Sequence, residues 1–165
     1  MGNLLFSPSG RIGPAAYMRG IIIYAVIGFI MTVLAAAVPA LAVLAIPVSL
    51  VLLYIFIALG IKRSHDAGKS GWMVLTHILL SWGVGALVGF VVAMITGVSA
   101  GDMFGAAMSG DTEAVEAATA ATQTLSYGLI SGVGSVVTAL VTGYLVNMFN
   151  KQDPGDNQYG PAPVM

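Results

Sequence analysis

The chain has no cysteine and little charge: six basic and seven acidic side chains in 165 residues, 8% of the total. The first absence excludes disulfides and thiolate metal sites, and it leaves the redox compartment unmarked. The second is more restrictive. A soluble domain carries about a quarter charged residues, and so few charges cannot cover a water-soluble globule of this length. With 58% hydrophobic residues, the solvent for most of the chain must be lipid. The net charge of −1 offers no global attraction to nucleic acid. The length allows one domain.

Charge is also missing from particular places. Between Gly20 and Ile61 there is no charged side chain, and at about 1.5 Å per residue that run suffices for two crossings of a ~30 Å hydrocarbon core. Pro39 is the expected break, giving spans over residues 16–38 and 40–61, with Pro47 placed to kink the second. The first span is too long for the hydrophobic segment of a cleaved signal peptide. A third span is expected over 71–96 and a fourth over 125–149. Between them, residues 97–124 contain Asp102, Asp111, Glu113 and Glu116 but no Lys or Arg. The alanine-rich second half of that loop predicts a short surface helix capped by Asp111 or Thr112. Residues 1–150 then make a four-helix transmembrane domain. Residues 151–165, rich in proline and glycine, make a tail that forms no core alone.

The basic residues are concentrated in three places: the lead-in to the first span, the 62–72 stretch and the tail. With four spans these places share one side of the membrane. Basic residues in short loops stay cytoplasmic. The expected architecture is therefore an all-α antiparallel bundle with both termini inside and the acidic loop outside.

The centre of the pattern is Lys62-Arg63-Ser64-His65-Asp66-Ala67-Gly68-Lys69-Ser70-Gly71-Trp72. It reads as a tight turn between the second and third spans. Lys62 and Arg63 suit the negative end of a helix dipole, with Asp66 spaced to reach both. Gly68 suits a left-handed helix end and Ser70 the next cap. Trp72 suits the headgroup level.

This stretch resembles the signature of domain-of-unknown-function family 805, a group of small bacterial inner-membrane proteins. Ser9-Gly10-Arg11-Ile12-Gly13 with Tyr17 resembles the family's N-terminal element. Asp156-Asn157-Gln158-Tyr159-Gly160-Pro161-Ala162-Pro163 resembles its C-terminal ending. The chain departs from the family at Pro14-Ala15-Ala16-Tyr17-Met18, where charged residues usually precede an aromatic pair. The resemblance implies a bacterial inner-membrane location and no assigned reaction.

All three stretches map to the cytoplasmic side of the expected topology. Arg11, Lys62, Arg63, His65, Asp66, Lys69, Asn157 and Tyr159 are therefore expected to form one polar cluster; the alternative is a set of separate solvated anchors. Catalytic, cofactor and metal sites are not expected. Gly68-Lys69-Ser70 has the end of a P-loop, but position 63, where its leading glycine belongs, is arginine and no strand precedes it. His65 and Asp66, adjacent in sequence, point to different helix faces. His65 and His77 alone are too few for a metal.

His77 is the ionisable residue expected inside a span. A neutral imidazole bonded to a neighbouring helix accounts for it, and a functional role is the alternative. The fourth span carries a stripe of small residues that includes Gly128, Gly132 and Ser135. Helix packing, with Gly85 and Gly89 of the third span as the partner motif, is the expected use. A water-lined path or a homo-oligomer contact would use the same face. The functional expectation is a non-enzymatic scaffold or accessory protein that binds anionic lipids or a membrane partner at its basic face. The alternative is a small solute transporter or channel.

Overall fold

The computed structural model describes residues 2–163. Among them are seven α-helices and no strand. A short α1 (Gly2–Phe6) precedes α2 (Pro14–Ala37). A 3-10 segment over Pro39–Leu44 leads into α3 (Ala45–Asp66). A second one, Gly71–Met73, opens α4 (Val74–Thr96). Two shorter helices follow, α5 (Ala100–Ser109) and α6 (Thr112–Thr122), before α7 (Leu125–Phe149). Four stretches are long and apolar enough to cross a membrane: Pro14–Ala37, Pro39–Asp66, Gly71–Thr96 and Leu125–Phe149.

Local chemistry explains most of the boundaries. Pro14 occupies the first position of α2, where its missing N–H is not needed. Pro39 ends that helix by holding Val38 out of helical geometry, at φ −133° and ψ 89°. The α-helical part of the second span starts only at Ala45. Pro47 therefore lies in its first turn and removes no internal hydrogen bond, unlike the interior kink expected from sequence. At the far end α3 continues through Lys62 and Arg63 to Asp66, so the tight turn narrows to Ala67–Ser70. Gly68 takes the left-handed conformation there, at φ +68°, and the Ser70 hydroxyl accepts from the Trp72 N–H at 3.4 Å. Asp111 caps α6 by accepting from the N–H groups of Glu113 and Ala114. The helices α1 and α5 have no counterpart in the sequence expectation. Both are short, and their hydrophobic patterns are too brief to separate from the flanking runs.

Packing centres on α2 and α7. These two make the most extensive contact, and α4 packs on α7 and α3 on α2. By comparison α3 and α4 meet mainly around the 3-10 turn that joins them. The core is small: Tyr17, Ile21, Ala25, Ile55, Leu59, Ala139 and Val146 anchor it. Outside it, Val43, Leu79, Leu87, Phe90 and Met94 are exposed. In water that belt would be an aggregation surface; in lipid it is the face that meets acyl chains.

Gly128 and Gly132 of α7 meet α2, not Gly85 and Gly89 of α4 as expected, while Gly134 packs against Val88 and Val92 of α4. A Cβ added at Gly128 would sit 2.6 Å from the Ala36 Cβ, and one at Gly132 would sit 2.9 Å from the Phe29 ring. Gly85 has only Thr138 within ordinary contact, at 3.6 Å, and Gly89 faces open space. Without a hydrophobic drive between helices in lipid, this close approach is what holds α2 to α7. Gly128→Leu is therefore expected to lower thermal stability in detergent by about 1–3 kcal/mol. Gly89→Ala should leave the melting temperature unchanged, and equal effects at the two sites would contradict this packing.

Candidate functional site

The last turn of α3 is the most buried polar segment of the chain. Lys62, Arg63, Ser64 and Asp66 are all buried, with Arg63 and Asp66 at 0% exposure. A buried charge is stable only if it is paired and hydrogen-bonded. The surrounding elements provide those partners. Asp66 lies between two guanidiniums: its Oδ2 accepts from Arg63 Nη1 at 2.7 Å, and its Oδ1 accepts from Arg11 Nη2 at 3.3 Å. One carboxylate thus joins the lead-in to the end of α3.

Both arginines then reach toward the C-terminal part of the chain. Arg63 Nε donates to the Asn147 Oδ1 at 2.6 Å, and its Nη2 donates to the Asn150 carbonyl. Arg11 Nη1 donates to the carbonyls of Gly155 at 2.7 Å and Gly160 at 3.1 Å. Its Nη2 donates to the Asp153 carbonyl at 2.7 Å. The tail is bound in the other direction too, since Asp153 N–H donates to the Asp66 carbonyl at 2.8 Å.

The two lysines of the 62–72 stretch serve helix ends. Lys62 Nζ donates to the carbonyls of Asn3, at 2.8 Å, and Leu4, two groups in α1 that its own helix leaves unpaired. It makes no bond to Asp66, so the expected Lys62–Asp66 contact is replaced by the Arg11–Asp66 pair. Lys69 Nζ donates to the Phe149 carbonyl and the Asn150 Oδ1, each at 3.1 Å. It therefore supplies a cation to the negative end of α7.

His65 stacks on Tyr159, with ring centroids 3.8 Å apart and planes 6° from parallel. Its Nδ1 lies 3.1 Å from the Gly10 carbonyl, which can only accept, so Nδ1 carries the proton. Asn157 Nδ2 donates to the His65 carbonyl at 3.1 Å, while Asn157 and Gly160 exchange two backbone bonds. Deeper in the bundle, Asn150 Nδ2 donates to His77 Nε2 at 3.1 Å, linking α4 to the end of α7. The Nδ1 of His77, the Tyr17 hydroxyl and the Thr142 hydroxyl are buried without a hydrogen-bond partner among the described residues.

Arg11, Lys62, Arg63, His65, Asp66, Lys69, Asn157 and Tyr159 thus gather at one end of the bundle. Lys62 binds α1 on its own, whereas the others connect through Asp66 and the tail. Sequence reasoning missed Asn147, Asn150 and Asp153 as members. Two asparagines three residues apart at the end of an apolar span were the available signal. Every cation named here donates to a carbonyl, an amide oxygen or the Asp66 carboxylate. Among the described residues no three His, Asp or Glu side chains converge as metal ligands.

The sequence matches a family described as "Protein of unknown function (DUF805)" over residues 5–161. The chain belongs to the DUF805 family. The match covers all three stretches that build this end: the Arg11 region, the α3–α4 turn and the docked tail. Comparison with curated proteins and with solved structures finds no match. The description of DUF805 carries no activity, so the chemistry of the site must be argued from its own groups.

Removing one member of the buried pair leaves the other charge uncompensated, at a cost of roughly 3–5 kcal/mol. Arg63→Ala and Asp66→Ala should each lower the melting temperature in detergent sharply and free the tail to protease. Arg63→Lys should rescue little, because an ammonium cannot reach Asp66, Asn147 and Asn150 together. Unchanged melting in either alanine variant would show that the cluster does not hold the bundle.

Proposed function

We propose that this DUF805 protein is a non-enzymatic scaffold or accessory protein of the bacterial inner membrane. In this reading the four spans run antiparallel with both termini in the cytoplasm, and the ionic end binds anionic lipid head groups. Positive charge is in excess there: Arg11, Lys62, Arg63 and Lys69 outnumber the carboxylates of Asp66, Asp153 and Asp156. Basic residues near a span favour the cytoplasmic side and the anionic leaflet, at about 1 kcal/mol per cation. The reading of a non-enzyme rests on the use of the polar groups, which are spent on holding helix ends and tail.

Burial changes which cations can meet a lipid. Lys62 and Arg63 are inaccessible, so head-group contact falls to the exposed Arg19 and Lys151, with Lys69 at the edge. The observation that carries the proposal is this division between buried cations that hold the fold and exposed ones beside them. Native mass spectrometry of protein taken from mixed membranes should show retained phosphatidylglycerol. Arg19→Gln with Lys151→Gln should remove it without unfolding the protein, and the same spectrum reports copy number. Equal retention of phosphatidylcholine, or retention unchanged in the double variant, would defeat the lipid reading.

The topology has its own test, since the chain lacks native thiols. A lone cysteine replacing Thr119 should react with an impermeant maleimide in intact cells, and one replacing Asp156 should react only after lysis. The opposite pattern would invert the orientation.

A small solute transporter or channel is the second reading. Ser135 and Thr138 of α7 border a cavity of about 250 Å³ together with Tyr24, Phe56 and Ser81, and facilitated flux in proteoliposomes would favour this role.

A further inference from the structure

Below the turn that joins them, α3 and α4 part, and a groove of about 510 Å³ lies between them. Ile57, Ile61 and His65 border it from α3, at steps of four residues and so on one helix face. Leu75 and Ile78 border it from α4, with Ser70, Gly71 and Trp72 of the turn above them. Both walls therefore change in the same order, from hydrocarbon within the span to polar groups at the cap. Tyr159 of the docked tail closes the polar end, stacked on His65. Trp72 and Leu75 are exposed on the outer surface, so the groove opens sideways into the membrane.

Four polar side chains border this one groove, and none is a Lys, Arg, Asp or Glu. Their bonds within the chain leave a definite remainder. His65 gives its Nδ1 proton to the Gly10 carbonyl, so its Nε2 can only accept. Gly71 keeps room beside that nitrogen, since a Cβ there would lie 3.2 Å from it. Ser70 Oγ accepts from the Trp72 backbone N–H, and its own proton has no acceptor among the described residues. The Trp72 indole N–H and the Tyr159 O–H have none either, both residues being bonded through the backbone alone. The groove thus presents three protons without acceptors and one lone pair without a donor. A ligand that displaces water from these groups must offer them equivalent partners. Two ester carbonyls and one free hydroxyl are that complement: three oxygens that accept and one proton that donates. A phosphate in place of the hydroxyl would take away the proton for Nε2 and bring a charge with no cation on the groove wall. The volume falls in the range usual for small-molecule sites, about 300–1,000 Å³.

We propose that this groove binds an uncharged diacylglycerol-type lipid that enters sideways from the membrane. Its acyl chain lies along Ile57, Ile61, Leu75 and Ile78. Its ester carbonyls and hydroxyl oxygen accept from Ser70, Trp72 and Tyr159, and its hydroxyl donates to His65 Nε2. Because Tyr159 belongs to the tail, occupancy of the groove and docking of the tail stabilise each other. The inference requires neither the binding of anionic head groups at Arg19 and Lys151 nor net transport.

The test uses the full chain in phosphatidylcholine nanodiscs, with Trp82→Phe so that Trp72 is the one indole left of two. Four lipids with the same brominated chains serve as quenchers: diacylglycerol, its acetate ester, phosphatidic acid and phosphatidylcholine. Diacylglycerol should quench Trp72 saturably, at a mole fraction about tenfold lower than the other three need. Tyr159→Phe keeps the stacked ring and removes one donor. It should raise the half-quenching mole fraction about three- to tenfold. Diacylglycerol should also slow tryptic cleavage after Lys151 about fivefold, and phosphatidic acid should not. Trp82 does not border this groove, so Trp72→Phe with Trp82 retained should show no preference among the four lipids. The proposal is overturned if the acetate or phosphatidic acid quenches Trp72 as well as diacylglycerol does, or if Tyr159→Phe leaves the midpoint unchanged. The same preference at Trp82, or cleavage after Lys151 that diacylglycerol does not slow, would overturn it too.

Discussion

A single carboxylate shared by two guanidiniums organises this protein. Asp66 holds Arg63 within α3 and Arg11 from the lead-in, and no other carboxylate forms an ion pair among the described residues. The buried cations outnumber that one anion. Their remaining donors must find neutral oxygens or stay unsatisfied in a low-dielectric interior, which is costly. The oxygens they find are the carbonyls at the ends of α1 and α7 and along the tail. Those carbonyls are the ones a helix end or an irregular segment leaves unpaired. Excess charge and orphan carbonyls therefore solve each other's problem. The consequence is that lead-in, turn and tail, far apart in the chain, become one cap.

The two ends of the bundle differ in their polar groups. At the ionic end, polar groups converge and seal the helices together, down to the Asn150–His77 bond between α7 and α4, and Gly20 and Gly60 bring α2 and α4 close to α3. At the other end, contact depends on missing side chains alone. Gly128 and Gly132 let α7 lie against Ala36 and Phe29 of α2. Because α2 and α7 take up the close approach, α3 and α4 are left at a distance, and the interior between them stays open. The same stripe on α7 thus has two uses. Its glycines pack, while Ser135 and Thr138 turn toward the open chamber.

Helix termination accounts for how the cap is placed. α3 does not stop where its charged residues begin, because Lys62 and Arg63 favour the C-terminal end of its dipole and find partners as soon as they enter. The helix therefore carries its cations inward, and Gly68, two residues past Asp66, takes the left-handed conformation that starts the reversal. Had the helix ended at Ile61, the motif would be a solvated loop. Its extension to Asp66 turns a membrane-surface sequence into the inside of the cap.

Four apolar stretches, the breaks at Pro39 and Gly68, the cap at Asp111 and membership of the ionic residues in one region were legible in the sequence. Each depends on local quantities: run length, a fixed proline φ, a left-handed glycine, a hydroxyl or carboxylate at a helix start. The partner of each polar group was not legible. That Asp66 pairs with Arg11 and not Lys62, that Asn147, Asn150 and Asp153 complete the cap, and that Gly128 meets α2 and not Gly89 of α4 depend on which helices adjoin. Adjacency in lipid is chosen by close fit and by pairing of buried donors, both sums over distant residues, so the chain's order carries the elements and only the assembled bundle selects their neighbours.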